Sequence, residues 1–267
     1  MVRAVTYILL AFCLLCSCSS SKKESCKDQD LERYQLHGKV DRIEVYEAET
    51  WQSIHFNLSG MLDSIITYSP HDTLRHIYVY DRKGLLSEIQ VRHTDGKYEA
   101  LHEYEYDGKT VSSYAFRGVD MQVLYRWDYD IESGRQVRCR CYNEGVLIST
   151  SENTYDGLDK TEKVYFADGE FYGETTYKYA SPGKISHISS NGFDMEVEYG
   201  EDGLPSRSIN AIIGHDGEIF TNADSRLYGT IHYEYLKDAS DNWTERYELL
   251  GETKVKGKTI RRNIIYR

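Results

Sequence analysis

Proline is nearly missing from this chain, with three among 267 residues. That scarcity leaves long backbone ladders unbroken, because each proline in a strand would delete a donor. Long apolar runs are also lacking. The run from Ala4 to Cys16 is the longest, and it falls short of the roughly 20 residues a helix needs to span a bilayer. Cysteines number six, but Cys13 and Cys16 belong to that run and Cys18 follows it after Ser17, leaving Cys26, Cys139 and Cys141. Three cysteines with no spaced histidine partner exclude a zinc-finger type of site. Cys139 and Cys141 alternate with Arg138 and Arg140 and share a strand face with Val137, so they read as small buried side chains, against a strained disulfide or metal pair.

Catalytic signatures are missing as well. The chain contains no Gly-x-Ser-x-Gly elbow, no His-Glu-x-x-His, no phosphate-binding glycine loop and no dinucleotide fingerprint. Nine histidines are scattered without ligand spacing. The pairs Glu103/Glu105 and Glu196/Glu198 alternate on strands and read as solvated charge. The expectation is a protein that is not an enzyme and uses no cofactor or metal. A formal charge of −11 supplies no basic field for nucleic acid or anionic lipid.

What the chain has in abundance is tyrosine, 24 residues of it, and the tyrosines recur in a pattern. Tyr78-x-Tyr80, Tyr104-x-Tyr106, Trp127-x-Tyr129, Tyr177-x-Tyr179 and Tyr233-x-Tyr235 each place two rings on one face of a strand. Polar residues stand between and beside them: Glu103 and Glu105, Arg126 and Asp128, Thr176 and Lys178, His232 and Glu234. One face is therefore aromatic and the other wet, as in a sheet solvated on one side. Stretches such as Tyr80-Asp81-Arg82-Lys83-Gly84-Leu85, an alternating run to His93, then Asp95-Gly96, make strand–turn–strand units. Further units begin at Tyr106, Tyr129, Tyr155, Tyr179 and Tyr199, and a weaker copy begins at Phe56.

These observations predict an all-β chain: an array of antiparallel β-hairpin repeats forming an extended, twisted or partly curled single sheet over 34–267. The rhythm breaks between Gly203 and Tyr233, so an irregular insertion is expected at about 204–232, the place to look for a functional loop. The aromatic face has two readings. In one the rings are the glue between hairpins; in the other Tyr104, Tyr106, Trp127, Tyr129, Tyr177 and Tyr179 contact a ligand such as a glycan.

At the N-terminus, Arg3, the short apolar run and Leu15-Cys16-Ser17-Cys18 resemble a bacterial lipoprotein signal. The resemblance implies a leader over 1–17 cut before Cys18, lipid on Cys18, and a polar tether over 18–33. Losing Arg3 with the leader would take the formal charge from −11 to −12. An ordinary secretory signal, an uncleaved anchor and lipidation of Cys16 are the alternatives. Lys22-Lys23-Glu24 stands where some Bacteroidetes lipoproteins carry acid-rich export signals.

Tyr80-Asp81 with Gly84-Leu85, and Tyr129-Asp130 with Gly134-Arg135, resemble the YD repeats of Rhs-type surface proteins. Tyr179-Ala180, Tyr199-Gly200 and Tyr235-Leu236 depart from that pattern. Asp168 to Glu174 looks like a single MORN unit, and Asp241-Asn242-Trp243-Thr244 is similar to the Asn-Trp unit that ends many small Bacteroidetes lipoproteins with degenerate YD repeats. The resemblance implies an outer-membrane, lipid-anchored protein, periplasmic or surface-exposed. Its partners would be the membrane and either an envelope protein, met through a sheet edge or the 204–232 insertion, or a glycan.

Overall fold

Alternation of aromatic and charged residues continues as strand after strand. The computed structural model describes residues 30–31, 33–47, 50–70, 72–213, 219–220 and 229–267. The expected leader, Cys18 and most of the tether lie outside them, as do 214–218 and 221–228 of the expected insertion. In chain order the strands are β1 (Val40–Glu47), β2 (Thr50–Phe56), β3 (Leu62–Tyr68), β4 (Thr73–Tyr80), β5 (Leu86–His93), β6 (Tyr98–Asp107), β7 (Thr110–Arg117), β8 (Val123–Glu132), β9 (Arg135–Asn143) and β10 (Val146–Asp156). They continue with β11 (Asp159–Phe166), β12 (Phe171–Ser181), β13 (Lys184–Ser190), β14 (Phe193–Tyr199), β15 (Pro205–Ile213), β16 (Ile219–Phe220), β17 (Gly229–Lys237), β18 (Trp243–Leu250) and β19 (Val255–Tyr266).

Neighbours in sequence pair antiparallel, and the first strand also meets the last: Ile43 faces Ile264 and Val45 faces Arg262. Eighteen strands thus close into one barrel, with β15 pairing directly to β17 and β16 paired to the end of β15. This corrects the expected open or partly curled sheet. The residue pattern describes each hairpin and its neighbour, whereas closure depends on a pairing between segments more than 200 residues apart.

Two local features bend the wall towards closure. Register shifts recur where one strand pair meets the next, at His55/Phe56, Val79/Tyr80, Asp130/Ile131, Lys178/Tyr179 and Glu198/Tyr199. Such bulges increase right-handed twist and bend the strand. The turns reinforce them. Asp81 accepts the N–H groups of Lys83 and Leu85 while Gly84 takes φ of +82°, a left-handed conformation that favours glycine. Asn57 and Asp238 repeat the same side-chain caps.

The ends are fastened by the Asn-Trp unit. Fully buried Asn242 accepts the His37 N–H at 2.5 Å and donates to the His37 carbonyl at 2.9 Å, and the Trp243 indole N–H donates to Gln35 at 3.0 Å. Leu31, Tyr34 and Leu36 pack against Val40, Ile43, Ile54, Phe56 and Leu62.

A closed wall has a lumenal and an outer face. Tyr125, Trp127 and Tyr129 on β8, Ser151, Asn153 and Tyr155 on β10, Tyr177 and Tyr179 on β12, and Ile260, Arg262 and Ile264 on β19 are buried or half-buried, while Arg126, Glu152, Thr154, Lys178, Arg261 and Asn263 between them are exposed. Burial is the main cause that shifts Tyr78, Tyr114, Tyr235, His102 and Cys141 on the first face. On the other face, shifts at Tyr46, Tyr247 and Asp130 come first from neighbouring side-chain hydrogen bonds. Side chains that point into a concave space crowd one another, so the aromatic face lines the lumen and the charged face is the outside. Closure itself covers the rings, and no second layer is needed.

Candidate functional site

The lumen is built from the recurring tyrosines. Across four adjacent strands Tyr104 faces Tyr114, Tyr114 faces Trp127, and Trp127 faces Cys141. Ring centroids are 5.2 Å apart for Tyr104–Tyr114 and 5.0 Å for Tyr114–Trp127, spacing at which aromatic pairs attract. Tyr129 and buried Cys139 join the same cluster. Tyr177, also buried, faces Ile188 and lies under the Lys160 ammonium at 4.5 Å. The Tyr179 N–H donates to Asp159 at 3.1 Å. Four of the six candidate residues therefore lie on β6 and β8, which flank β7, with Tyr177 and Tyr179 on β12.

Five of the tyrosines that open these units or end a Tyr-x-Tyr pair have a definite role in the wall. Tyr80 donates its hydroxyl to the Leu62 carbonyl at 2.8 Å, Tyr106 to Leu86 at 2.8 Å, Tyr155 to Gln136 at 2.9 Å, Tyr199 to Ile185 at 2.7 Å and Tyr235 to Pro205 at 2.9 Å. Each acceptor is the residue at which the preceding strand pair shifts register. A bulge disrupts the local ladder, and the tyrosine of the following strand satisfies the carbonyl there.

Sequence reasoning passed over several lumenal groups. Tyr114 lies outside the Tyr-x-Tyr pattern, yet it links the ladder and its hydroxyl meets His102 Nδ1 at 2.7 Å. Burial, with His76 nearby, pushes His102 down to about 4. Cys141 is pushed up to about 11 by burial, which a hydrogen bond from Ser149 partly opposes. Both Cys139 and Cys141 are free thiols. At one rim a cleft of about 470 Å³ is lined by residues including Asp202, Leu204, Ser206, Tyr233 and Tyr235. Arg246 lies 5.5 Å from the centre of the Tyr233 ring.

On the outer wall His187, Asp194 and Glu196 place one possible ligand atom each within 4.8 Å of the others. His187 Nε2 already contacts Asp194 at 2.9 Å. Their spacing along the chain hides this grouping, which cross-strand pairing of His187 with Glu196 creates.

Among the described residues no helix is long and apolar enough to cross a membrane. A barrel that crosses by its strands presents an apolar outward band, whereas this wall turns Glu105, Arg126, Arg138, Glu152, Lys178 and Glu198 outward.

No family model matches the chain, and no curated protein does. Solved structures show a distant likeness. A porin-like protein from Bacteroides uniformis shares 11% identity at a TM-score of 0.45, over 85% of this chain and 96% of that one. A porin-like protein from Bacteroides vulgatus shares 12% at 0.41, over 86% and 99%. A chain of the TcdB2-TccC3-Cdc42 structure shares 15% at 0.22, covering 74% of this chain and 12% of its own length. All three TM-scores fall below 0.5, and nothing about this chain rests on the likeness.

Proposed function

We propose that this chain is a lipid-anchored protein of the outer membrane with a non-catalytic, protein-binding role. Leu15-Cys16-Ser17-Cys18 supports the anchor. The described chain enters at Asp30, which accepts hydrogen bonds from the Leu62 N–H and the Tyr80 hydroxyl at the tyrosine-clamped rim. That rim would face the membrane, and the far rim would meet a partner.

The observation that carries this reading is the apolar surface of the far rim. Three neighbouring turns expose Val119 (65%), Val146 (67%), Phe171 (52%) and Tyr172 (58%), together with Met121 and Phe166. Contiguous exposed apolar groups on a folded protein mark interaction sites. Exposed Asp120, Glu144, Asp168 and Glu170 surround them. The fitting partner is a protein with an apolar patch ringed by lysine or arginine. Edge-strand pairing, expected for an open array, is not proposed, since among the described residues the ring of eighteen strands has no free edge.

Photo-crosslinking from position 172 in intact cells tests the docking rim, with position 58 on the opposite rim as reference. One discrete adduct from position 172 is expected, diminished by Asp168→Lys with Glu170→Lys. Equal adducts from both positions, or none from 172, would overturn it. Palmitate labelling tests the anchor, and label persisting on Cys18→Ser would remove it.

A further inference from the structure

Most charged side chains on the lumenal face are paired. Lys160 meets Glu162, Lys258 meets Glu47, and Arg246 meets Glu248. Arg262 has no such partner. Its guanidinium donates to the Tyr34 carbonyl at 2.9 Å and stacks on the Trp243 indole 3.3 Å from the ring centre, with no carboxylate in reach among the described residues. Arg246 approaches the same indole at 5.9 Å. The Nε atoms of both arginines are buried without a hydrogen-bond partner. Two guanidiniums thus share one tryptophan and one carboxylate, beside the cleft lined by Tyr233 and Tyr235.

A half-buried cation without a counter-charge is costly, and unpaired buried donors add to that cost. Burial and the repulsion of Arg246 push Arg262 down to about 9, which still leaves it charged at neutral pH. Neither Tyr34 nor Tyr235, the remaining ionisable groups acting on it, carries charge there. The arrangement gains from a ligand that brings negative charge.

We propose that Arg246 and Arg262 form an anion-binding site in the lumen that takes the carboxylate, sulfate or phosphate of a small ligand entering by the Tyr233/Tyr235 cleft. Guanidinium forks match such oxyanions with paired hydrogen bonds. Aromatic walls at Tyr233 and Tyr235 suit a ring attached to the anion. This site is independent of the docking rim.

The test uses the full chain and three probes: inorganic sulfate, glucuronate and glucose. Sulfate or glucuronate at millimolar concentration should raise the unfolding midpoint, because a ligand bound only by the folded state stabilises it. Glucose should not. Tighter binding of glucuronate than sulfate would assign the anion to an acidic sugar, and the reverse to a free oxyanion. Arg246→Met should weaken calorimetric binding by about tenfold or more. Glu248→Gln removes the competing carboxylate, keeps both arginines and should strengthen binding; it serves if Arg246→Met does not fold. No response to either anion, or responses that neither substitution alters, would overturn the site.

Discussion

His102 is the lumenal residue whose chemistry is most altered by its surroundings. Burial favours its neutral form, and the Tyr114 hydroxyl sits 2.7 Å from Nδ1. Its folded pKa of about 4 lies below the ordinary 6.5. Between those values the unfolded chain binds more protons, so stability is full above pH 6.5 and falls as the pH drops towards 4. The loss attributable to this one group is at most about 3 kcal/mol, less whatever solvent screens. Urea midpoints measured from pH 7 to pH 4 should therefore decline, and a His102→Gln protein should decline less steeply. Parallel curves for the two proteins would show that His102 does not drive the effect. Nothing in the sequence around His102 marks it, because its neighbours Tyr114 and Phe116 lie on the next strand. The Tyr-x-Tyr pairs, by contrast, were legible directly, since alternation along one strand is a local property.

At the scale of strands and hairpins, the repeated unit is a bulge, a capped turn and a tyrosine that closes over the bulge. Tyr106 donates to Leu86 across the β5–β6 pair, where Tyr80 and Leu86 mark the preceding shift. Tyr106→Phe keeps the ring and removes one hydrogen bond, so it should cost about 1 kcal/mol in denaturant unfolding. An unchanged unfolding midpoint for Tyr106→Phe would contradict the clamp. Glycine turns and alternating strands were readable from the sequence, and hairpins formed where Asp81-x-x-Gly84 and Asp95-Gly96 stand. The bulges were not readable, because a register shift is a relation between two strands and leaves no mark in either alone. The grouping of Arg246, Arg262 and Trp243 was hidden for the same reason: it depends on how β18 pairs with β19 and where the N-terminal segment lies.

For the whole molecule, the main consequence of closure is the segregation of its two faces. Rings that would lie half open on a flat sheet turn inward, and the charged positions between them form a wall that meets water. The same closure removes the free edges of an open array, so the docking proposed above rests on the exposed apolar turns of the far rim and not on strand pairing. It also gives the lumen a private set of charges, in which Arg262 has no carboxylate partner among the described residues. The Asn-Trp unit contributes by tying residues 35–37 to Asn242 and Trp243, so the two ends of the chain are joined beside the β1–β19 seam. That seam is the central claim, and a disulfide across it is the most direct measurement. Glu44 faces Asn263 on the outer wall, and their side chains already meet at 3.1 Å. A Glu44→Cys, Asn263→Cys protein should oxidise to an intramolecular disulfide in the monomer, seen as a mass loss of about two hydrogens and faster migration without reductant, because facing strand positions bring Cβ atoms within bonding range. Failure to form that bond under mild oxidation, or crosslinking only between separate molecules, would contradict the closed barrel.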